Sequence, residues 1–446
     1  MAAREAMNPP LCAVTLRVGV FFDGTGNNRG NSPRPAEDGA LPVDDAARGS
    51  HGNALTNIAL LHDLYPMTGS EPPANQDRAF LRIYVEGVGT TEGEVDSLFA
   101  QATGRGRTGV TGRVAQAYDL IAQGIRDCQS RWPERQVTAL EFDLFGFSRG
   151  AAVARHLAND LGRAGDSRLM AALERVACGG GRPLVLINFI GLFDTVEAVF
   201  APLAGMPGSA AGLQLALAAG VARQVVQLVA MDEHRHNFPL VRTAWDIPVP
   251  GAHSDVGGGY PERMLERVLL CKPRTGLVPR TLAVEQSSAY RAVIELLEAL
   301  PGAPADVRVV SWETAVTEDR TRHGLAQKRV HVALCREREV LGHLSRVYLR
   351  VMRELAVRAG VPFAGVEEGN ALYRLPEELL GVSGKISGFA LGERGEIGLD
   401  ERERGLLAER YVHASAHWNA VKGLRNSGLD ALYVDRPAVG GRVVVG

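Results

Sequence analysis

Short apolar runs rich in β-branched and aromatic residues recur through the first half of the chain, at 14–22, 79–85, 137–145, 184–190 and 241–249. Each is of strand length, which predicts a strand at every one. Between them, 53–64, 111–128, 151–161 and 213–229 repeat apolar residues at three- and four-residue intervals, the spacing that gathers them on one face of a helix. Strand and helix in alternation predict an α/β fold, a mostly parallel sheet flanked by helices. In such sheets ligands collect beyond the carboxyl ends of the strands.

After about residue 270 the alternation stops. Residues 289–300 and 329–359 read as helices and 307–312 as a stray strand. The expectation is an α/β unit over 1–275 and a mainly helical C-terminal extension over 276–446. Segments 29–52, rich in Pro, Gly, Asp and Ala, and 88–110, rich in Gly and Thr, read as insertions at strand ends.

Composition narrows the class. Hydrophobic residues make up 46% of the chain and charged residues 22%, ordinary usage for a folded protein. The 49 Lys+Arg balance 51 Asp+Glu to a net charge of -2, so no overall charge signal for nucleic acid is present. Five cysteines, widely spaced and never in a CxxC pair, suggest neither a disulfide framework nor a zinc site. The N-terminus lacks the plan of a signal peptide, and the expectation is a protein made in the cytoplasm. The longest uncharged stretch, within 198–222, is broken by Pro202, Pro207 and glycines, unlike a membrane span.

The chemistry centres on Gly146-Phe147-Ser148-Arg149-Gly150. A serine hydroxyl is a weak nucleophile unless the backbone presents it clear of the sheet and a base takes its proton. The GxSxG turn meets the first need: Gly146 and Gly150 remove side chains where a strand turns sharply into a helix, and the amide of Arg149 is placed to face an oxyanion. An apolar run ends at Gly146 and a helical pattern begins after Gly150, the context of a serine hydrolase with an α/β-hydrolase-like fold. Glu141 and Asp143 sit awkwardly in that strand, which is expected to be buried on both faces.

In this class the acid follows the serine at the end of a later strand and the histidine comes last. Asp194, after the run 184–190, fits the acid; His253, opening a glycine-rich loop, fits the base. His156, His234, His236, His413 and His417 also follow the serine, and Asp255 competes for the acid role or as a cation ligand. Asp232-Glu233-His234-Arg235-His236 reads as a polar brace or a substrate contact. The turn Asp23-Gly24-Thr25-Gly26-Asn27-Asn28 offers a second oxyanion donor at Gly24 or Thr25. Gly104, Gly106 and Gly109 match GxGxxG but follow no strand directly, so a nucleotide site is not expected. Residues 198–230, rich in Ala, Leu, Val and Gly, read either as a mobile apolar cap or as core. No cofactor and no metal are expected.

Four phrases carry a resemblance: 22–27, 146–151, 193–196 and 251–258, in that order, with 232–240, 412–415 and 435–437 in support. Together they resemble the first family of lipase effectors of the type VI secretion system. The resemblance implies phospholipase A activity with Ser148, Asp194 and His253 as triad. It further implies a phospholipid membrane as substrate, an immunity protein and a secretion spike or adaptor as partners, and delivery by type VI machinery into the periplasm of target cells. A carboxylesterase for small soluble esters and a non-catalytic membrane-binding secretion adaptor are the alternative readings.

Overall fold

The computed structural model describes residues 12–33, 49–69, 77–163, 167–174, 183–197, 212–302, 305–316, 326–420 and 433–445. The first seven strands are β1 (Cys12–Phe22), β2 (Arg78–Val85), β3 (Arg135–Phe147), β4 (Leu184–Phe193), β5 (Gln224–Ala230), the short β6 (Leu240–Val241) and β7 (Asp246–Val249). Six of them form one sheet in the order β2-β1-β3-β4-β5-β7, with every adjacent pair parallel. The order reverses between β1 and β3, and a crevice opens beyond the strand ends at such a switch point.

Helices α1 (Asn57–Leu64), α2 (Leu98–Thr103), α3 (Val110–Arg131), α4 (Arg149–Leu161), α5 (Arg168–Glu174) and α6 (His253–Gly257) alternate with these strands. Because successive strand residues face opposite ways, Leu16, Val18, Val20 and Phe22 of β1 pack under α3, α4 and α5, while Phe21 faces α1. The carboxylate of Asp143 is satisfied on that second face. Arg17 grips it with two hydrogen bonds of 2.7 and 3.0 Å, and Tyr65 and Asn188 donate at 2.8 and 3.0 Å. A charge in a doubly covered strand is tolerated because it is paired and saturated.

Two expected helices prove to be strand in part. Residues 224–230, overlapping the end of the 213–229 helix reading, form the interior strand β5, and their apolar run carries no period because both faces are buried. The helix expected over 329–359 splits into a strand and a helix. A second, antiparallel sheet unites β8 (Arg263–Leu269), β9 (Arg274–Pro279), β10 (Val307–Ala315) and β11 (Gln327–Leu341), with α7 (Ser288–Glu298) packed on it. Then α8 (Leu344–Arg358), α9 (Glu377–Ala390) and α10 (Glu401–Arg410) close the second face of the main sheet in one core with Phe145, Phe189 and Phe193. Residue 275 therefore lies within β9, and the chain beyond it contributes to the core of the first unit. The last strand, β12 (Val444–Val445), pairs with β6.

Most of 29–52 and the segment 198–211 lie outside the described residues. In the described remainder of the apolar stretch before β5, Leu215 packs against Ala152 of α4 and Val241, while 218–220 are exposed. Among the described residues no helix is long and apolar enough to cross a membrane.

Candidate active site

Ser148 stands between β3 and α4 with φ 57° and ψ -125°. It and Asp194, with φ 44°, are the non-glycine residues of positive φ among the described residues. Side chains rarely adopt such backbone, and where they do the surroundings hold them for a purpose. At Ser148 the hold is visible: its amide donates to Phe193 O at 3.0 Å, tying the turn to the end of β4. The flanking glycines are required by contact. A Cβ on Gly150 would lie 2.4 Å from the carbonyl oxygens of Phe22 and Asp23, and one on Gly146 would lie 2.6 Å from Ala151 Cα.

The carboxylate that meets His253 is that of Asp194. Its Oδ2 lies 2.5 Å from His253 Nδ1, with both groups buried. Asp194 Oδ1 accepts the amide of Ala230 at 3.0 Å, and Arg442 grips both carboxylate oxygens at 2.7 Å each. Burial alone would raise the pKa of Asp194, yet the charge of Arg442 and its hydrogen bonds, with those of His253, hold it well below the usual carboxylate range. Burial lowers the pKa of His253 below its ordinary 6.5 and outweighs the pull of Asp194. The imidazole is thus neutral at neutral pH, with Nδ1 committed to Asp194 and Nε2 left for a proton.

Ser148 and His253 line one cavity of about 550 Å³ with Thr25, Arg149, Phe147 and Leu98. Ser148 Oγ makes no hydrogen bond to a described residue, and unliganded sites are often loose in this way. Two rings fix His253: Phe147 at 4.6 Å and Phe238 edge-on at 4.9 Å between centroids.

The turn after β1 supplies one side of the cavity. Asp23 accepts from Tyr84 Oη at 2.5 Å, Thr56 Oγ1 at 2.7 Å and the amide of Gly24 at 2.7 Å. Burial pushes its pKa up to about 6 against these hydrogen bonds. The amide of Gly24 is therefore spent, which removes Gly24 as a free oxyanion donor; its neighbour Thr25 has no partner for its amide among the described residues.

The rival residues are engaged elsewhere. Asp255 binds His413 Nδ1 at 2.6 Å and the amides of Ala252 and His413. His156 Nδ1 accepts from the amide of Gln214, and the amide of His234 is held by Ser415. The cluster 232–236 acts as a brace: Glu233 accepts from Arg235 and from the amide of His253 at 3.3 Å, and Arg235 lies 3.3 Å over the ring of Phe238. Gly104, Gly106 and Gly109 link α2 to α3. Among the described residues no group of three or more His, Cys, Asp or Glu is placed to hold a metal ion.

Sequence reasoning missed Arg442, and it placed Glu233 only within a cluster read as a polar brace or a substrate contact. Arg442 lies 248 positions from its partner, behind Gly440 and Gly441, and no local pattern marks it. Glu233 carried the weaker signal of a dense charged cluster.

Residues 17–168 and 166–272 match the family described as T6SS, phospholipase effector Tle1-like, catalytic domain. No curated protein matches. A solved structure described as the Tle1 effector bound to the VgrG spike from the Type 6 secretion system is similar over 100% of this chain and 97% of that chain, with a TM-score of 0.75 and 27% identity. An uncharacterized protein from Pseudomonas aeruginosa is similar over 95% of this chain and 56% of that chain, with a TM-score of 0.41 and 19% identity. A strained serine turn at the switch point of a parallel sheet, on a chain most of whose length fits that family, has one reading: the protein belongs to the Tle1-like phospholipase effectors of the type VI secretion system.

Proposed function

We propose that this chain is a serine phospholipase A. Ser148 Oγ attacks an acyl ester carbonyl of a glycerophospholipid while its proton passes to His253 Nε2, and Asp194 stabilises the imidazolium that forms. The backbone amides of Arg149 and Thr25 hold the oxyanion. As the tetrahedral intermediate collapses, His253 returns the proton to the departing glycerol oxygen and a lysophospholipid leaves. Water then attacks the acyl-serine with the same histidine as base, and a fatty acid is released.

The observation that carries this reading is the convergence of Ser148, on its strained turn, and the His253–Asp194 pair on one cavity. A lipid surface as substrate is supported at the cavity mouth, where Leu98 lines the cavity and is 76% exposed, with Val95 at 94% and Phe99 at 64% beside it. These three residues, outside the 198–230 stretch, form an apolar contact for lipid. The whole-chain similarity to an effector solved on its spike supports delivery by type VI machinery on a VgrG-type partner; action on target membranes from the periplasm and a cognate immunity protein in the producer complete the proposal.

The test is product analysis on a phospholipid carrying different acyl chains at its two positions, beside Ser148→Ala. Release of one fatty acid by wild type, with a loss on the order of 10⁶-fold in the variant, is expected. A fluorophosphonate probe should label wild type alone. Labelling of both proteins, or of neither with no fatty acid released, sinks the proposal.

A further inference from the structure

Two guanidinium groups line the cavity over Ser148, and they differ in what they hold. Arg235 is neutralised: Glu233 takes it at 2.7 and 2.9 Å, Asp435 lies 3.6 Å away, and Phe238 covers its face. Arg149 has no carboxylate partner among the described residues. Its Nε donates to Thr25 Oγ1 at 2.6 Å, and its terminal nitrogens meet no acceptor there. Burial brings its pKa down to about 10 with no acidic neighbour to offset it, so it stays charged at neutral pH.

A half-buried cation without a carboxylate partner is only partly hydrated, and an arriving anion supplies the partner it lacks. The strut to Thr25 fixes the guanidinium plane beforehand, so little rotamer freedom is lost when the anion binds. Its planar fork of donors matches the oxygens of a phosphate. Arg149 also follows Ser148 directly in the chain, and in a glycerophospholipid the phosphodiester and an acyl ester sit on neighbouring glycerol carbons.

We propose that the Arg149 side chain binds the phosphodiester monoanion of the headgroup, and so makes the enzyme prefer phospholipid over neutral acylglycerol. This rests on the phospholipase reading above. The two parts of Arg149 then divide the work, the backbone amide at the oxyanion and the guanidinium at the phosphate.

The experiment compares kcat/KM on phosphatidylglycerol and on diacylglycerol of identical acyl chains, in the same mixed micelles, for wild type, Arg149→Met and Arg149→Lys. The phospholipid-to-diacylglycerol ratio is expected to fall roughly 10- to 100-fold in the Met variant, mainly through KM, and to recover in part with Lys. An unchanged ratio in a Met variant that still reacts with a fluorophosphonate overturns the assignment. Wild type provides a second arm that needs no variant. Glycerophosphoglycerol should inhibit hydrolysis of nitrophenyl butyrate competitively and more strongly than inorganic phosphate does. Equal inhibition by the two assigns the cation to free phosphate, and no inhibition by either removes the phosphate site; both outcomes overturn the proposal. If wild type neither labels nor releases fatty acid, the phospholipase reading itself fails and this inference falls with it.

Discussion

Among the described residues, two buried histidine–carboxylate pairs have nearly equal geometry. His253 Nδ1 lies 2.5 Å from Asp194, and His413 Nδ1 lies 2.6 Å from Asp255. The remaining ring nitrogens face different surroundings. That of His253 belongs to a ring lining the cavity with Ser148, whereas Nε2 of His413 is buried without a partner, its ring stacked 3.7 Å from Tyr260. The carboxylates differ as well. Asp194 adds a bidentate arginine to its histidine; Asp255 spends its second oxygen on two backbone amides, which fasten the loop of α6 to the segment at 413. The pairing chemistry is shared, and what lies on the far side of each ring sets its use. In the proposed mechanism one pair moves a proton, and the other ties two loops together.

Substitutions at the two carboxylates should therefore separate activity from stability. Asp194→Asn leaves a hydrogen-bond acceptor for His253 but loses the charge that supports an imidazolium and that Arg442 pairs with; kcat/KM of the folded fraction on phospholipid is expected to drop about 10³- to 10⁴-fold, far more than the accompanying stability loss of about 3 kcal/mol accounts for. Asp255→Ala orphans three buried N–H groups. It should lower stability by about 3 kcal/mol in denaturant titrations, while the folded fraction loses no more than about tenfold in kcat/KM. The reverse outcome, with Asp255→Ala inactive at full stability, would move the functional pair.

The pH profile sharpens the same contrast. As the proposed base His253 acts only when neutral, and burial lowers its pKa, so wild-type kcat/KM should hold down to below pH 6.5 and fall as pH drops through the folded value. Arg442→Met removes a cation from the carboxylate facing that ring, which favours the imidazolium. The acid limb should shift to higher pH, with a loss of about tenfold at neutral pH from a less firmly held carboxylate. A profile that does not move would reduce Arg442 to a fastener of the C-terminal strand.

Much of the site was legible because its signals are local. The GxSxG turn, the strand before it and the helix after it occupy adjacent positions, and Asp194 and His253 each stand just past a strand end in the order a hydrolase uses. Gly24 was legible only as one member of a turn, since nothing nearby says that the side chain of Asp23 takes its amide. The strand β5 was misread because a seven-residue run buried on both faces has no period to show. The second sheet was read as one stray strand because β11 pairs not only with its neighbour β10 but also with β8 and β9, which lie before α7 in the chain.

The sequence by itself determined the alternation of elements, the serine turn and the chain order of Ser148, Asp194 and His253. These depend on backbone preference and side-chain volume within a few residues. Only the tertiary structure decided which carboxylate meets which histidine, that Arg442 closes on Asp194 from 248 positions away, and that Arg235 is paired with Glu233 while Arg149 has no carboxylate partner among the described residues. Those outcomes turn on which side chains the sheet order and loop paths bring within hydrogen-bond reach. Electrostatic pairing is set by distance in space and by burial, and neither is written along the chain.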